Sequence, residues 1–197
     1  MANLILNGST SGSVTLSSPA VSGTTTLTLP TTSGTVITTG STGQVINKAS
    51  LPTGSVLQVV NATYATETTT TSSTFADSGL TATITPTFST SKILVLSQLN
   101  GIYRDNSGAT YLAARLLRNS TNILNFEAIA AYISVPASGS TGVGGISTSY
   151  LDSPATTSAT VYKVQIASGA NAATVRFNAP ASGNASTSTI TLMEIAA

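Results

Sequence analysis

Leu80 to Phe88 reads LTATITPTF, with apolar and hydroxyl side chains alternating until Pro86 interrupts them. A period of two places one set of side chains on each face of a strand. Proline removes a ladder donor, so the strand is predicted to end there. The same reading carries through the rest of the chain from Gly54. It predicts strands at Ser55–Ala65, Leu80–Phe88, Lys92–Leu99 (KILVLSQL), Ala109–Arg118, Ile123–Val135, Gly145–Leu151, Thr160–Ser168, Ala173–Asn178 and Thr187–Ile195. Turn residues separate them at Asn106–Gly108, Arg118–Thr121, Pro136–Gly139, Ser168–Asn171 and Ser182–Asn184. Tyr111–Leu117, YLAARLL, also fits a helical turn, but its length and its neighbours favour a strand. About nine strands at this spacing predict an all-β sandwich, jelly roll or barrel.

The chain before Gly54 is patterned differently. Between Ala2 and Asn47 there is no ionisable side chain, and Lys48 is the first. This shift marks a boundary near Leu51-Pro52-Thr53-Gly54 and divides an uncharged arm, residues 1–53, from a head, residues 54–197. The arm repeats itself. Gly12, Gly23 and Gly34 are spaced by eleven and open the units GSVTLSSPAVS, GTTTLTLPTTS and GTVITTGSTGQ. Pro19 and Pro30 recur at one position of the unit, and Ser22 and Ser33 at another. Each full unit reads as a short Thr/Val/Leu strand and a proline turn, and chance self-similarity in a Ser/Thr/Gly-rich stretch is the competing account. Strands this short do not bury an apolar face alone. Leu16, Leu27 and Leu29 are therefore expected to find partners on other copies of the chain, making the arm both trimerising and particle-anchoring.

Composition excludes several chemistries. The chain has no Cys and no His, so it offers no disulfide, thiol nucleophile, imidazole base or His- or Cys-ligated metal. A net charge of +1 is too small for a nucleic-acid footprint. Ser and Thr make up 65 of 197 residues, while charged residues are only 7%. Hydroxyls, not ions, give this chain its polarity, and much of its surface is expected to lie against other chains. The longest apolar run, Ala128 to Ile133, is far short of the ~18–20 residues of a membrane helix. Met1 to Gly8 lacks the basic start of a secretory signal.

Candidate sites are few. Gly139–Gly145, GSTGVGG, has the glycines of a phosphate cradle but no Gly-Lys-Ser/Thr ending and no following helix. Arg115 and Arg118, three apart on a strand, are expected on opposite faces, as a surface charge and an interface ion pair. Arg104-Asp105 reads as a solvated turn. A glycosidase needs two carboxylates about 5–9.5 Å apart. The six acids are Glu67, Asp77, Asp105, Glu127, Asp152 and Glu194, and no two are adjacent. Asp77 and Asp152 each precede a serine and read as turn residues. Glu127 sits in an apolar strand and would need a partner such as Arg115. The six tyrosines, Tyr64, Tyr103, Tyr111, Tyr132, Tyr150 and Tyr162, fit a core as readily as a receptor patch.

Five stretches carry a family resemblance: GSVLQVV at Gly54–Val60, LTATITPTFSTSKILV at Leu80–Val95, LLRNSTNI at Leu116–Ile123, YLDSPATTSATVYKVQI at Tyr150–Ile166 and STITLMEIAA at Ser188–Ala197. They resemble a β-module recurring at the C-terminal part of bacteriophage fibre and other virion appendage proteins, many from marine and cyanobacterial viruses. The arm resembles the polar N-terminal stretches of the same proteins. The resemblance implies a non-enzymatic, homotrimeric protein with a jelly-roll-like head and no cofactor. It lacks the long shaft of a tail fibre, which favours a short fibre, spike or head decoration. The expected role is attachment, on a tailed-phage virion assembled in the host cytoplasm. Expected partners are two further copies, capsid or tail proteins reached through the arm, and a host surface glycan or protein, with no nucleic acid and no membrane insertion. Two other readings stay open: a capsid cement protein, and a bacterial carbohydrate-binding adhesin module.

Overall fold

The computed structural model describes residues 4–7, 10–11, 13–16, 48–105, 110–130, 141–169, 173–179 and 186–197. The chain divides into two compact units, Met1–Val45 and Ile46–Ala197. In the first, β1 (Leu4–Asn7) and β2 (Ser13–Leu16) form an antiparallel hairpin with Leu4 opposite Leu16 and Asn7 opposite Ser13. β2 falls in the first repeat unit, and β1 was not anticipated. Leu16 thus closes the open end of this hairpin through its backbone, whereas Leu27 and Leu29 lie outside the described residues.

The second unit is all-β. Its strands are β3 (Val56–Tyr64), β4 (Thr68–Thr70), β5 (Ala76–Ile84), β6 (Lys92–Arg104), β7 (Leu112–Arg118), β8 (Thr121–Ala130), β9 (Thr141–Asp152), β10 (Thr160–Ser168), β11 (Val175–Phe177) and β12 (Ser188–Ile195). One sheet runs β5-β10-β7-β8. The other runs β3-β12-β6-β11-β4, with β9 also paired to β6. Leaving aside the three-residue strands β4 and β11, first pairs with last throughout: β3 with β12, β5 with β10, β6 with β9 and β7 with β8. This unit is one long antiparallel ribbon folded over itself into two sheets packed as a sandwich. The ribbon is tied at its open end, where Gly54 N–H donates to Ala196 O at 2.8 Å and Ala196 N–H to Ser55 O at 2.9 Å.

Alternation builds the core. β5 buries Ser78, Leu80, Ala82 and Ile84, and β12 buries Ile190 and Leu192. These meet Ile93, Val95 and Leu99 of β6, Leu112 and Leu116 of β7, and Tyr162, Val164 and Ile166 of β10. Tyr111–Leu117 is mostly strand, as neighbours and length predicted. β5 begins earlier than predicted and stops at Ile84, two residues before Pro86. β6 and β9 run longer, because each supplies the other's ladder along a stretch with little apolar alternation. β4 was missed because its sequence, TTT, has no apolar alternation. The predicted turn at Asn119 is present: its φ is 54°, and its side-chain Oδ1 accepts from Val161 N–H at 3.0 Å. Asparagine tolerates that left-handed backbone better than most residues.

Candidate interaction surface

The two sheets differ sharply on their outer faces. On the β3-β12-β6-β9 side the registers align side chains in rows. Val59, Met193, Leu94 and Leu151 stand in one row. Asn61, Thr191, Leu96 and Ser149 form the next, and Thr63, Thr189, Gln98 and Ser147 the one after. Val56 and Ile195 extend the apolar end, beside Lys92. Neighbours in such rows interact directly, and Asn61 Nδ2 donates to Thr191 Oγ1 at 2.7 Å. Val56, Val59, Leu96 and Leu151 are 50%, 55%, 37% and 50% exposed. Large apolar side chains left open side by side mark contact surfaces more than singly scattered ones do. Above them the face is hydroxyl and amide, and a shallow depression of about 550 Å³ lies over Leu96, Gln98, Ser147, Ser149, Thr189 and Thr191. Lys92 is the only ionisable group in these rows.

The β5-β10-β7 face carries the charge. Asp77, Gln165 and Arg115 stand opposite one another on three strands. Lys163 Nζ and Gln165 Nε2 each donate to Asp77 at 2.7 Å. Arg115 donates through Nε and Nη2 to Gln165 Oε1 at 2.9 and 2.7 Å, and its guanidinium lies 4.2 Å from the Phe75 ring centre. The bond from Lys163, with that from Gln165, holds the Asp77 carboxyl below its usual range.

Several expectations are corrected here. Arg115 and Arg118 do lie on opposite faces, as their spacing predicts: the unbroken β10–β7 ladder sets Arg115 opposite Gln165 on the outer side and Arg118 opposite Tyr162, which is in the core. What differs is the partner of Arg118, an acid of the same chain. The β7–β8 register shift falls on β8, where Ile123 is the extra residue, and leaves the alternation of β7 intact. Arg115 bonds Gln165, not Glu127, and Glu127 instead accepts from Ile129 N–H at 2.7 Å. Asp77 is no turn residue but a member of β5. Asp152 is no turn residue either. It ends β9, is buried, and accepts from Tyr162 Oη at 2.6 Å and from Arg118 Nη1 at 2.9 and 3.0 Å. Tyr162 and Arg118 belong to the other sheet, so this cluster clamps the sandwich. Burial, and then the bond to Asp152, raise the Tyr162 pKa well above the phenol range. Arg104 is likewise buried at the end of β6, not solvated. Asp105 bonds Arg176 Nη2, while Arg176 Nη1 donates to Glu67 at 2.8 Å.

The most buried acid is one the sequence did not single out. Glu194 is 0% exposed on β12. It accepts from Gln58 Nε2 at 2.6 Å, from Thr87 N–H at 2.6 Å and Thr87 Oγ1 at 3.0 Å, and from Phe88 N–H at 3.4 Å. Burial alone would raise its pKa, but these hydrogen bonds outweigh it and hold the carboxyl below its usual range. The bonds fix the segment after β5, so a surface strand end is pinned by a core residue.

The glycine-rich stretch does not form a phosphate loop in its described part. Residues 141–145 are strand, paired along β6. A Cβ at Gly142 would fall 2.6 Å from the Tyr103 ring, and one at Gly145 would meet Leu99 O at 2.8 Å. These glycines let β9 lie close to its neighbour. The tyrosines also pack: Tyr64 stacks on Phe177 at 6.0 Å, Tyr150 borders the core and Tyr162 is inside it. Tyr132 lies outside the described residues. Among the described residues no three acids converge where a metal could sit. KILVLSQL by itself says only that a strand is apolar on both sides, not which neighbours stand beside it. Apolar residues on both faces of an antiparallel strand imply two covers.

No protein-family model and no curated protein matches the chain. Among solved structures it is similar to the VP2 subviral particle of infectious bursal disease virus, with 11% identity and a TM-score of 0.40 over 71% of this chain and 38% of that one. It is also similar to the Gx strain of that virus, with 14% identity and a TM-score of 0.36 over 73% of this chain and 39% of that one. The chain spans less than two fifths of those proteins, and scores this low identify no family.

Proposed function

We propose that this chain is a non-enzymatic structural protein of a tailed-phage virion. It forms a short trimeric fibre, spike or head decoration that mediates attachment, with the arm of residues 1–53 engaging capsid or tail proteins and the head presented outward. The observation that carries the non-enzymatic part is the use made of the acids. Each of the six carboxylates accepts from a named partner within the fold. Carboxylates engaged in hydrogen bonds within the fold, five of them between segments distant in sequence and Glu127 locally, serve rigidity, whereas a catalytic acid or base faces a site where a reacting atom can sit. A hydroxyl-rich, sparsely charged chain with a closed ribbon core suits a protein that works by presenting surfaces.

Two measurements test this. Light scattering coupled to size exclusion should give about 59 kDa, three times 19.7 kDa; a mass of 19.7 kDa overturns the trimer. Purified protein is then offered to phage capsids and to host cells. Binding to cells with block of infection supports the attachment role. Saturation of capsids in many copies without cell binding replaces it with cementing, and binding to defined glycans with no affinity for any particle replaces it with an adhesin module.

A further inference from the structure

We infer that the neutral outer face of β3-β12-β6-β9 is the surface through which copies of this chain meet, centred on Val59, Met193, Leu94, Leu151 and Leu96. This rests on the trimeric reading above and names the face that makes it. The two sides of the sandwich are built from the same chain, yet Asp77, Lys163 and Arg115 stand on one and Lys92 alone on the rows of the other. Where this face turns toward a three-fold axis, the side chains nearest the axis meet their own copies, and any charge among them is repeated against a like charge. Leaving the rows without acids, and with one cation at their end, removes that repulsion.

The polar rows suit the same purpose. Hydroxyls and primary amides both donate and accept, so Asn61, Thr191, Gln98 and Ser147 can pair with their own kind, which carboxylates or ammonium groups cannot do. An apolar patch bordered by uncharged hydrogen-bonding rows has the two components of a subunit contact. Four strands about 4.8 Å apart and seven residues at about 3.4 Å give roughly 19 by 24 Å in plan. That area, roughly 450 Å² before side-chain relief, is of the same order as the ~600–800 Å² each partner gives to a small specific interface.

The test uses the full-length chain. Leu96→Glu and Leu151→Glu place a carboxylate on side chains already 37% and 50% exposed, so the fold should tolerate them. Thr83→Glu, on the exposed side of β5, is the control. Each variant is checked by far-UV circular dichroism, then weighed by light scattering over a dilution series. Ser149→Glu, beside Leu96 in register, substitutes for either leucine variant that fails to fold. The expected result is dissociation of the face variants to 19.7 kDa at concentrations at least tenfold above those that dissociate the wild type and Thr83→Glu. Folded face variants that keep the wild-type mass overturn this face and leave the trimer standing. A wild type that is itself 19.7 kDa overturns both.

Discussion

Replacing Glu194 with leucine should be the most damaging single change to the β12 end of the sandwich. The carboxylate is fully buried and takes two bonds of 2.6 Å, from Gln58 Nε2 and Thr87 N–H. Leucine cannot accept either. Gln58 keeps a second acceptor, Thr85 O at 2.7 Å, but the Thr87 N–H is orphaned. Hydrogen bonds to a charged group are worth about 1.5–3 kcal/mol each, and an unsatisfied buried donor costs about 1–3 kcal/mol. Burying the leucine returns about 1–2 kcal/mol, because the site is shaped for a polar head. The net loss is about 2–4 kcal/mol. For a domain of this size each kcal/mol shifts Tm by about 2–4 °C, so Tm should fall by about 10 °C. Differential scanning calorimetry at pH 7 reads it, at a fixed protein concentration because self-association raises apparent stability. A fall of under ~3 °C would refute the claim that Glu194 holds this end together.

Acid should act through the same residue. The carboxyls of Glu194 and Asp77 titrate below their ordinary 4.5 and 3.8 in the folded chain. The unfolded chain therefore takes up protons first as pH falls, so stability is full above about pH 5 and declines below it. Urea midpoints of the wild type should drop between pH 5 and pH 3, and Glu194→Gln should flatten that drop; an unchanged slope sinks the assignment. Tyr162→Phe removes the 2.6 Å bond to buried Asp152 and should cost about 1–2 kcal/mol in chemical denaturation, with Arg118 left to hold the acid. Gly79→Ala should destabilise by about 2–4 kcal/mol, since φ is +94° and a Cβ would sit 2.4 Å from the Tyr64 ring. A variant within 0.5 kcal/mol of wild type would show that Tyr64 moves aside freely.

The strands of the head were legible because burial on a pleated surface leaves a period of two in the residues. LTATI of β5 and TITLMEI of β12 show it plainly, and both are strands with alternating burial. The exclusion of thiol and imidazole chemistry needed composition alone. What the alternation could not convey was any relation between strands distant in the chain. The partnership of Glu194 with Gln58 spans 136 residues, and that of Asp152 with Arg118 joins two sheets. Asp152 and Asp77 carried turn-like neighbours and were misread for that reason: local chemistry is the same in a turn and at the end or bulge of a strand. The register shift beside Leu116/Leu117 left no local mark either; its extra residue is Ile123 of β8.

The sequence by itself thus determined the class of structure, the position of most strands, and a polarity built on hydroxyls with very few ions. Those properties are sums over neighbours in the chain. Which strands pair, which acids are buried, and which rows of outward side chains carry almost no charge were decided only when the ribbon folded on itself. Registers and sheet order are long-range quantities, and a slip of one residue would exchange the two faces. The neutral rows of β3, β12, β6 and β9 exist only at that level, where four separate segments contribute one side chain each.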